Sequence, residues 1–201
     1  WREYIDECTD MHGLARLDHH TARTFACSGA VGQASGVDWD IRRDDPYLAY
    51  NEIDIDWSTP VLTHGDAHAR YQSLVESVRL SATVIGDCVT RLRDLADDPF
   101  SVTLPKTLRS PESVVHVWTQ NPLGIAGWFL VSDGDVYPVR LKARTPSFAH
   151  LQALQFALEG VPVTSLSAAV ASFFFVGVAS YIVGLVGNSN SPVSGMTITQ
   201  R

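Results

Sequence analysis

The sequence predicts an α+β protein that is mostly helical, with long amphipathic helices and a small antiparallel β-sheet. Apolar residues recur at three- and four-residue steps for about 30 residues after Asp66, which is typical of one long amphipathic helix. Three short runs rich in β-branched and aromatic residues lie between positions 114 and 141 and indicate a small sheet. The pair Thr145 and Pro146 marks the start of a second helix, since proline is favoured at the first helical position.

Composition narrows the class of protein. The chain has 201 residues, of which 45% are hydrophobic and 18% charged, and its net charge is −7. These values exclude a disordered chain, a collagen-like chain and a coiled coil. The acidic balance argues against a free-standing nucleic-acid binder, because phosphate affinity requires a basic surplus. The acidic residues are concentrated in 38–56, whereas no charged residue lies between Leu166 and Arg201. This distribution indicates a polar N-terminal part that faces a partner and an apolar C-terminal part.

The N-terminal part of the chain is expected to be irregular. Residues 1–45 are polar and punctuated by glycine, and 1–10 have the pattern of a helix end. Pro46 closes this part in a turn, because the residue before proline is disfavoured in the α region. Residues 47–57 are predicted to be a half-buried strand, since isoleucine and aspartate alternate from 53 to 56.

The long helix is predicted to begin at Asp66, which can cap it, and to stop at Asp97-Asp98-Pro99. Its periodic apolar positions are Tyr71, Leu74, Val75, Val78, Ala82, Ile85, Val89, Leu92 and Leu95.

The sheet is predicted over three runs, with a turn at 132–135 between the last two. The runs are 114–118, 127–131 and 136–141. The second helix is expected to start after the Thr145 cap and to stop at Gly160, because glycine commonly follows a helix end.

The chain divides into a domain of residues 1–165 and an apolar helix with a polar tail over 166–201. The uncharged run 166–186 is about 20 residues, long enough to span a bilayer. Two interpretations are open, a single membrane anchor and a helix buried against partner helices. We favour the buried helix, because no Lys or Arg flanks the run closely.

Most of the candidate chemistry has a structural explanation. His64 and His68 are four apart and can share a helical face, but no third ligand stands in register, so a solvated helix start is favoured over a metal site. The glycine-rich run 29–36 lacks the spacing of a nucleotide loop. The acids of 38–56 resemble a solvated face, with Arg42 and Arg43 placed to pair with them. The three separated cysteines fit neither a disulfide framework nor a zinc or iron–sulfur site.

Five strings in one order carry a family signal. They are SGAVGQASGV (28–37), WDIRRDDPY (39–47), GD with RY (65–66 and 70–71), LVSDG (130–134) and RTPSFAHLQAL (144–154). Together they resemble the D subunit of NADH-quinone oxidoreductase, the complex I component related to the large subunit of nickel–iron hydrogenases. The resemblance covers residues 1–175 and the C-terminal half of that family, and a chain that opens at Trp1 is accordingly expected to be part of a longer one.

The resemblance implies a hydrogenase-large-subunit-like fold and a role as a subunit, or a fragment of one, in an NADH:quinone oxidoreductase. Such a subunit helps form the quinone-binding cavity and scaffolds electron transfer to quinone, and it has no redox centre and no catalysis of its own. Quinone is then the substrate, while the iron–sulfur cluster and the flavin that oxidises NADH belong to partner subunits. The implied partners are peripheral-arm and membrane-arm subunits, and the implied location is peripheral, on the cytoplasmic face of the membrane.

The chain also departs from the family. Hydrogenases bind nickel through two Cys-x-x-Cys pairs, which this sequence lacks, so no metal is expected. Leu123 occupies the position of the basic residue in the family's Ala-Pro-Arg/Lys-Gly turn. The family's quinone-contacting histidine and tyrosine have no matching string here and are expected upstream of Trp1. The family's acidic motif after the last helix is also missing. These departures leave open a second hypothesis, a degenerate non-catalytic interaction or assembly module related to that subunit.

The residues expected to line an inherited cavity lie on the two matching turns. They are Pro122, Gly124, Thr145, Pro146, Ser147, Phe148 and His150. A quinone headgroup requires a few hydrogen-bond donors in an apolar slot, and Thr145, Ser147 and His150 are the candidates. The alternative is that Thr145, Pro146 and Ser147 serve to cap the second helix, and we favour capping as their main role.

Overall fold

The structure is a computed structural model, and it describes residues 11–53, 56–57, 60–95, 101 and 103–174. The helices are α1 (His19–Thr24), α2 (Gly29–Ala34), α3 (Ile41–Asp44), α4 (Ala67–Asp94) and α5 (Pro146–Ala157). The strands are β1 (Ser113–Asn121), β2 (Gly124–Ser132) and β3 (Arg140–Arg144). A 3₁₀ turn at Val163–Ser165 leads into helical residues 166–174.

Three aspartates start helices by accepting backbone hydrogen bonds. Asp18 accepts from the Thr21 N–H, Asp40 from the Arg42 N–H and Asp66 from the Ala69 N–H at 2.9, 3.0 and 2.8 Å. These bonds satisfy N–H groups that have no partner within the first turn of a helix. Asp66 also accepts from the Gly13 N–H at 2.8 Å, so the cap of α4 holds the N-terminal loop in place.

The sheet is a three-stranded antiparallel meander in the order β1-β2-β3. β1 and β2 pair along their whole length, from Ser113 opposite Ser132 to Asn121 opposite Gly124. β3 pairs only with the middle of β2, where Val131 lies opposite Arg140. The predicted fold class is therefore confirmed, but the third strand begins at Arg140 and not at 136, because residues 133–139 form a longer connection than the predicted four-residue turn.

The N-terminal part is helical where an irregular chain was expected. α1, α2 and α3 all fall within residues 1–45 and have only four to six residues each, too few for an apolar period to be visible. The strand predicted over 47–57 is wrong for its described residues, since 48–52 form turns and 47, 53, 56 and 57 are not in a strand, while 54–55 lie outside the described residues. The predicted helix end at 1–10 lies outside the described residues.

The predictions for the two longest helices agree with the structure more closely than those for the N-terminal part. α4 starts behind its Asp66 cap as expected and ends at Asp94, with Leu95 as the last capping residue. α5 has Thr145 at its N-cap position and Pro146 in its first turn, and it ends at Ala157, before Gly160. The core joins these elements through small and apolar side chains. Its buried members are Ala15, Leu17, Ala22, Cys27, Val31, Ala153, Leu154, Ala157, Ala169 and Phe173.

The described part of the chain contains no helix that is both long and apolar enough to cross a membrane. Only residues 166–174 of the uncharged run 166–186 belong to that part. They include Ala169 and Phe173, which are buried in the core. This part of the run packs against the rest of the molecule, and the division of the chain at 165/166 stays a prediction.

Candidate functional site

The turn between β1 and β2 lies directly on the start of α2. Ser28 Oγ accepts a hydrogen bond from the Ile125 N–H at 2.9 Å, and both groups are buried. A Cβ at Gly29 would stand 2.5 Å from the Leu123 carbonyl oxygen and 2.6 Å from the Gly124 nitrogen. Two glycines thus permit a backbone-to-backbone contact that fixes the position of Leu123.

His150 stabilises the same contact between the β1–β2 turn and the start of α2. Its ring is fully buried, and Nε2 donates to the Ser28 carbonyl at 3.2 Å, which leaves Nδ1 without a hydrogen-bond partner. Burial lowers the pKa of His150 to about 4, against the opposing effect of the Ser28 bond, and the nearby Arg70 charge lowers it further. His150 is therefore a neutral donor at physiological pH.

The depressed pKa of His150 makes stability depend on pH. The unfolded chain binds this proton near pH 6.5 and the folded chain only near pH 4, so stability is full above pH 6.5 and is lost as the pH falls toward 4. We expect acidification from pH 7 to 5 to lower the free energy of unfolding by about 2 kcal/mol through this group. Urea denaturation at both pH values measures the change. His150→Gln should remove that pH dependence and the exposed-site control His20→Gln should keep it, whereas an unchanged pH dependence in His150→Gln would contradict the assignment.

The other residues predicted on the second turn are spread over the surface and the interior. Pro146 is buried in the first turn of α5, Ser147 is half-buried, and Phe148 is 61% exposed. Thr145 occupies the N-cap position, but its side chain makes no capping hydrogen bond. Thr145 is thus the N-cap residue as predicted, but it caps through its carbonyl, which accepts from the Phe148 N–H at 3.2 Å, and not through its hydroxyl.

An apolar cavity of about 290 Å³ opens between α4, the β1–β2 turn and helical residues 166–174. Its lining residues are Met11, Ala67, Tyr71, Leu74, Leu123, Ala168, Ala171, Ser172 and Phe173. None of the seven residues predicted from the sequence belongs to this lining, but Leu123 lies between two of them, Pro122 and Gly124. Leu123 therefore provides an alkyl wall for the cavity.

Arg70 connects the segments of the chain that surround the apolar cavity. It is fully buried, and its guanidinium donates to the carbonyls of Gly65 and Ala15 at 2.8 and 2.9 Å. It also donates from Nε and Nη2 to Ser172 Oγ at 3.2 and 3.0 Å, and it lies 4.2 Å from the centre of the Phe173 ring. One side chain thus joins the N-terminal loop, the start of α4 and the C-terminal helical residues that line the cavity.

The hydrogen bonds that Arg70 donates within the described residues all go to neutral oxygens. Burial lowers the pKa of Arg70 to about 10, with Asp66 and Cys27 acting in the opposite direction. The group remains charged at neutral pH. Burial likewise raises the pKa of the Cys27 thiol to about 11, so this cysteine is an inert core residue.

Sequence reasoning missed Arg70 as a site residue. Arginine is almost never fully buried, so an exposed charge is the ordinary expectation. Its partner Ser172 lies 102 positions further along the chain, which no local pattern reveals. The one signal in the sequence is its place in the GD…RY string of the family resemblance.

A second cavity, of about 470 Å³, has a different character. Its lining includes the ionisable side chains of His19, Arg23 and Asp38 together with Trp39. Asp38 is neutralised by Arg43 at 2.9 Å. Charged walls do not suit an apolar molecule, so the smaller cavity is the better candidate for a lipophilic ligand.

The other chemistry weighed from the sequence has structural explanations. Asp66 caps α4. The predicted solvated start of this helix is wrong, because Asp66 and His68 are buried and His68 stacks on His12 with ring centroids 3.8 Å apart, whereas His64 is exposed. Within the described ranges no group of three His, Cys, Asp or Glu side chains could hold a metal. Arg42 and Arg43 pair with the surrounding acids as predicted. The pair of Arg42 with Asp40, at 2.6 Å, is buried, so the prediction of a solvated face is wrong at these two residues.

The fold recurs in an enzyme assembly of known structure. The chain superposes with a TM-score of 0.69 on a chain of the membrane-bound sulfane sulfur reductase, an archaeal respiratory membrane complex. The two are 27% identical, and the match covers 82% of this chain and 45% of that one. The helical body with its small sheet thus has the fold of a chain in this respiratory membrane complex.

Within that class, residues 8–107 and 97–179 match the family described as the 49 Kd subunit of respiratory-chain NADH dehydrogenase, and the chain belongs to this family. It is 43% identical over 166 residues to a D subunit of NADH-quinone oxidoreductase from Salinispora tropica, covering 82% of this chain and 42% of the relative. It is 41% identical over 164 residues to a D subunit from Streptomyces coelicolor, covering 82% and 43%. The D subunit of Campylobacter hominis is 32% identical over 175 residues, covering 75% and 42%. The chain spans less than half the length of these relatives.

Proposed function

We propose that this chain forms part of a subunit of an NADH:quinone oxidoreductase and provides an apolar section of the wall of its quinone-binding cavity. Family membership supports the assembly, and the apolar cavity behind Leu123 is the observation that carries the role of the wall. Its volume of about 290 Å³ lies at the lower end of ligand pockets. It suits one ring or a short stretch of an isoprenoid tail.

The chemistry of the lining fits the tail of a quinone better than its headgroup. Most of the lining side chains are hydrocarbon, and Ser172 is already engaged, because it donates to the Ala169 carbonyl at 2.7 Å and accepts from Arg70. Tyr71 contributes a phenol, the remaining hydroxyl of the lining. Polar contacts to the headgroup then come largely from outside this chain.

The chain supplies no redox centre in this proposal. Its three cysteines, Cys8, Cys27 and Cys88, are far apart in sequence and do not form the Cys-x-x-Cys pairs that hydrogenase-type nickel sites require. The flavin, the iron–sulfur cluster and NADH oxidation belong to partner subunits. The chain acts as wall and scaffold, peripheral on the cytoplasmic face of the membrane, in contact with peripheral-arm and membrane-arm subunits.

Purification of the assembly tests the proposal. We expect an affinity-tagged chain, isolated from membranes of its native cell in mild detergent, to bring with it a flavin- and iron–sulfur-containing complex that reduces quinone with NADH. The tagged chain produced on its own and purified under native conditions should contain neither flavin nor iron in stoichiometric amount. Recovery of the chain free of such a complex would contradict the proposal and favour the second candidate, a non-catalytic assembly module, for which Leu123 in the basic position is the supporting observation.

Filling the cavity gives a prediction at one residue. Leu123→Trp adds an indole to the wall, and we expect the KM for a quinone that carries an isoprenoid tail to rise by about tenfold, with kcat changed by less than about twofold. Steady-state kinetics of the purified complex measure both constants. The control Leu151→Trp, on the exposed side of α5, should leave them unchanged. Equal kinetics in the two variants would remove this cavity from the quinone path.

A further inference from the structure

The cavity of about 470 Å³ has no part in the proposed quinone wall. It lies between α1 and the loop that connects α2 to α3, and it shares no lining residue with the apolar cavity. Ala26, Val37 and the buried Cys27 line it in addition to the ionisable side chains and the indole described above. Its volume lies within the range of pockets that hold small organic ligands. The cavity therefore has the size of a ligand site and a polar lining that the quinone proposal does not use.

The charge that this cavity offers to a ligand comes from Arg23. The carboxylate of Asp38 is already neutralised, because it accepts from Arg43 Nη1 at 2.9 Å. Arg23 is exposed, and its guanidinium has no ion pair or hydrogen bond with any residue in the part of the chain that the structure describes. A guanidinium with all its donors available binds carboxylate and phosphate oxygens well. The wall therefore favours an anionic group.

His19 provides an acceptor in a fixed orientation. Its Nδ1 donates to the Ser35 carbonyl at 3.1 Å, since a carbonyl oxygen can only accept. The neutral ring then carries its lone pair on Nε2, which can accept from a hydroxyl or N–H group. Gly36 permits this arrangement, because a Cβ at that position would stand 3.1 Å from His19 Nδ1. The same cavity thus combines a cation with an acceptor.

Trp39 adds a flat aromatic surface to the lining. Its side chain is 45% exposed, and it has no ring contact with another of the described residues. An accessible indole face stacks well on planar rings, and stacking of a nucleic-acid base on an aromatic side chain contributes strongly to binding. The ligand that uses this surface therefore contains a planar ring.

We propose that this cavity binds a purine nucleoside monophosphate, either free or as one part of a larger nucleotide. The phosphate binds Arg23, the purine stacks on Trp39, and a ribose hydroxyl donates to His19 Nε2. One anionic group, one planar ring and one hydroxyl thus match one cation, one indole face and one acceptor. A single phosphate requires only one arginine, so the net charge of −7 that argues against nucleic acid does not argue against this ligand.

Calorimetric titration of the purified chain tests the proposal, with AMP and GMP as the probes. We expect saturable binding of at least one of them at about 1 mM or below. Adenosine lacks the phosphate and inorganic phosphate lacks the ring, so each should bind at least about tenfold more weakly than AMP. NAD⁺ contains the AMP unit within a dinucleotide. Equal affinities for AMP and NAD⁺ assign the site to a part of a larger nucleotide, and binding of AMP alone assigns it to the free mononucleotide.

Two variants of the lining have matched controls. Arg23→Gln and Trp39→Leu should each weaken binding by about tenfold, because they remove the phosphate contact and the stacking surface. The control Arg16→Gln alters an exposed arginine outside the cavity, and Trp128→Leu alters a tryptophan of similar exposure, 43%, on β2. Both controls should bind as the unaltered chain does. Urea denaturation confirms that all four variants are folded.

Three results would overturn the proposal. The first is that neither AMP nor GMP binds saturably, and the second is that the cavity variants bind as tightly as their controls. The third is tighter binding of benzoate than of AMP, which would assign the cavity to an aromatic carboxylate. None of these results affects the proposed quinone wall, because the two cavities share no lining residue.

Discussion

Replacing Arg70 with methionine is expected to lower the free energy of unfolding by about 3–5 kcal/mol. Methionine retains much of the alkyl volume but donates no hydrogen bond. The Ala15 carbonyl then stays buried without its Arg70 donor, which costs about 1–3 kcal/mol. The Gly65 carbonyl keeps its bond from the Leu17 N–H at 2.9 Å, and Ser172 Oγ keeps its bond to the Ala169 carbonyl, but both lose their bonds from the guanidinium. The stacking of the guanidinium on Phe173 is lost as well.

Urea denaturation of the two proteins measures this effect. The control is Arg79→Met on the same helix, where the side chain is 48% exposed and pairs with Glu76 at the surface. We expect the control to cost less than about 1 kcal/mol, because exposed ion pairs contribute little. Arg70→Lys should fall between the two, since an ammonium group does not reach three acceptors in different directions. Equal stabilities for Arg70→Met and the control would show that Arg70 does not join the three segments.

Gly29→Ala is expected to be almost as damaging, with a loss of about 3–4 kcal/mol of stability. Two costs combine at this position. Gly29 has φ of +58°, where a side chain is strained by about 1 kcal/mol or more. The new methyl group would also stand 2.5 Å from the Leu123 carbonyl oxygen, so the β1–β2 turn has to move away from α2.

Gly13→Ala separates the two costs. Gly13 has φ of +71°, and nothing lies within 4 Å of the position of its Cβ. Only the backbone strain applies there, and we expect a loss of about 1 kcal/mol. Thermal or urea unfolding of both variants gives the difference, which isolates the contact between the turn and α2. A Gly29→Ala variant as stable as Gly13→Ala would mean that the turn is free to shift and that Leu123 is not held in place.

The sequence predicts the long helices and strands of this protein better than the short ones. α4 was predictable because 28 residues repeat one period behind an acidic cap, and β1 and β2 because their β-branched runs are continuous. α1 to α3 were missed, because four to six residues show no period. The sequence pattern predicts that the apolar stripe of α4 is buried, but most of that stripe is exposed. The side chains of α4 that are buried are mostly small or polar.

The site was less predictable than the fold for a similar reason. The family strings led to the β1–β2 turn, and Leu123 in that turn does line the cavity. The rest of the lining comes from segments far apart in sequence, among them Met11, Tyr71 and Phe173, which only the tertiary structure brings together. The assignment of Pro122, Gly124, Thr145, Pro146, Ser147, Phe148 and His150 to a quinone cavity stays a prediction.

Photoaffinity labelling can show whether this chain forms an apolar section of a quinone cavity. The purified complex is illuminated with a quinone that carries a photoreactive group on its isoprenoid tail, and the labelled peptides of this chain are identified by mass spectrometry. We expect labels on peptides containing Tyr71, Leu123 or Phe173 that disappear with excess unmodified quinone. Labels confined to other peptides or to partner proteins, or labels that unmodified quinone does not displace, would contradict the proposed role.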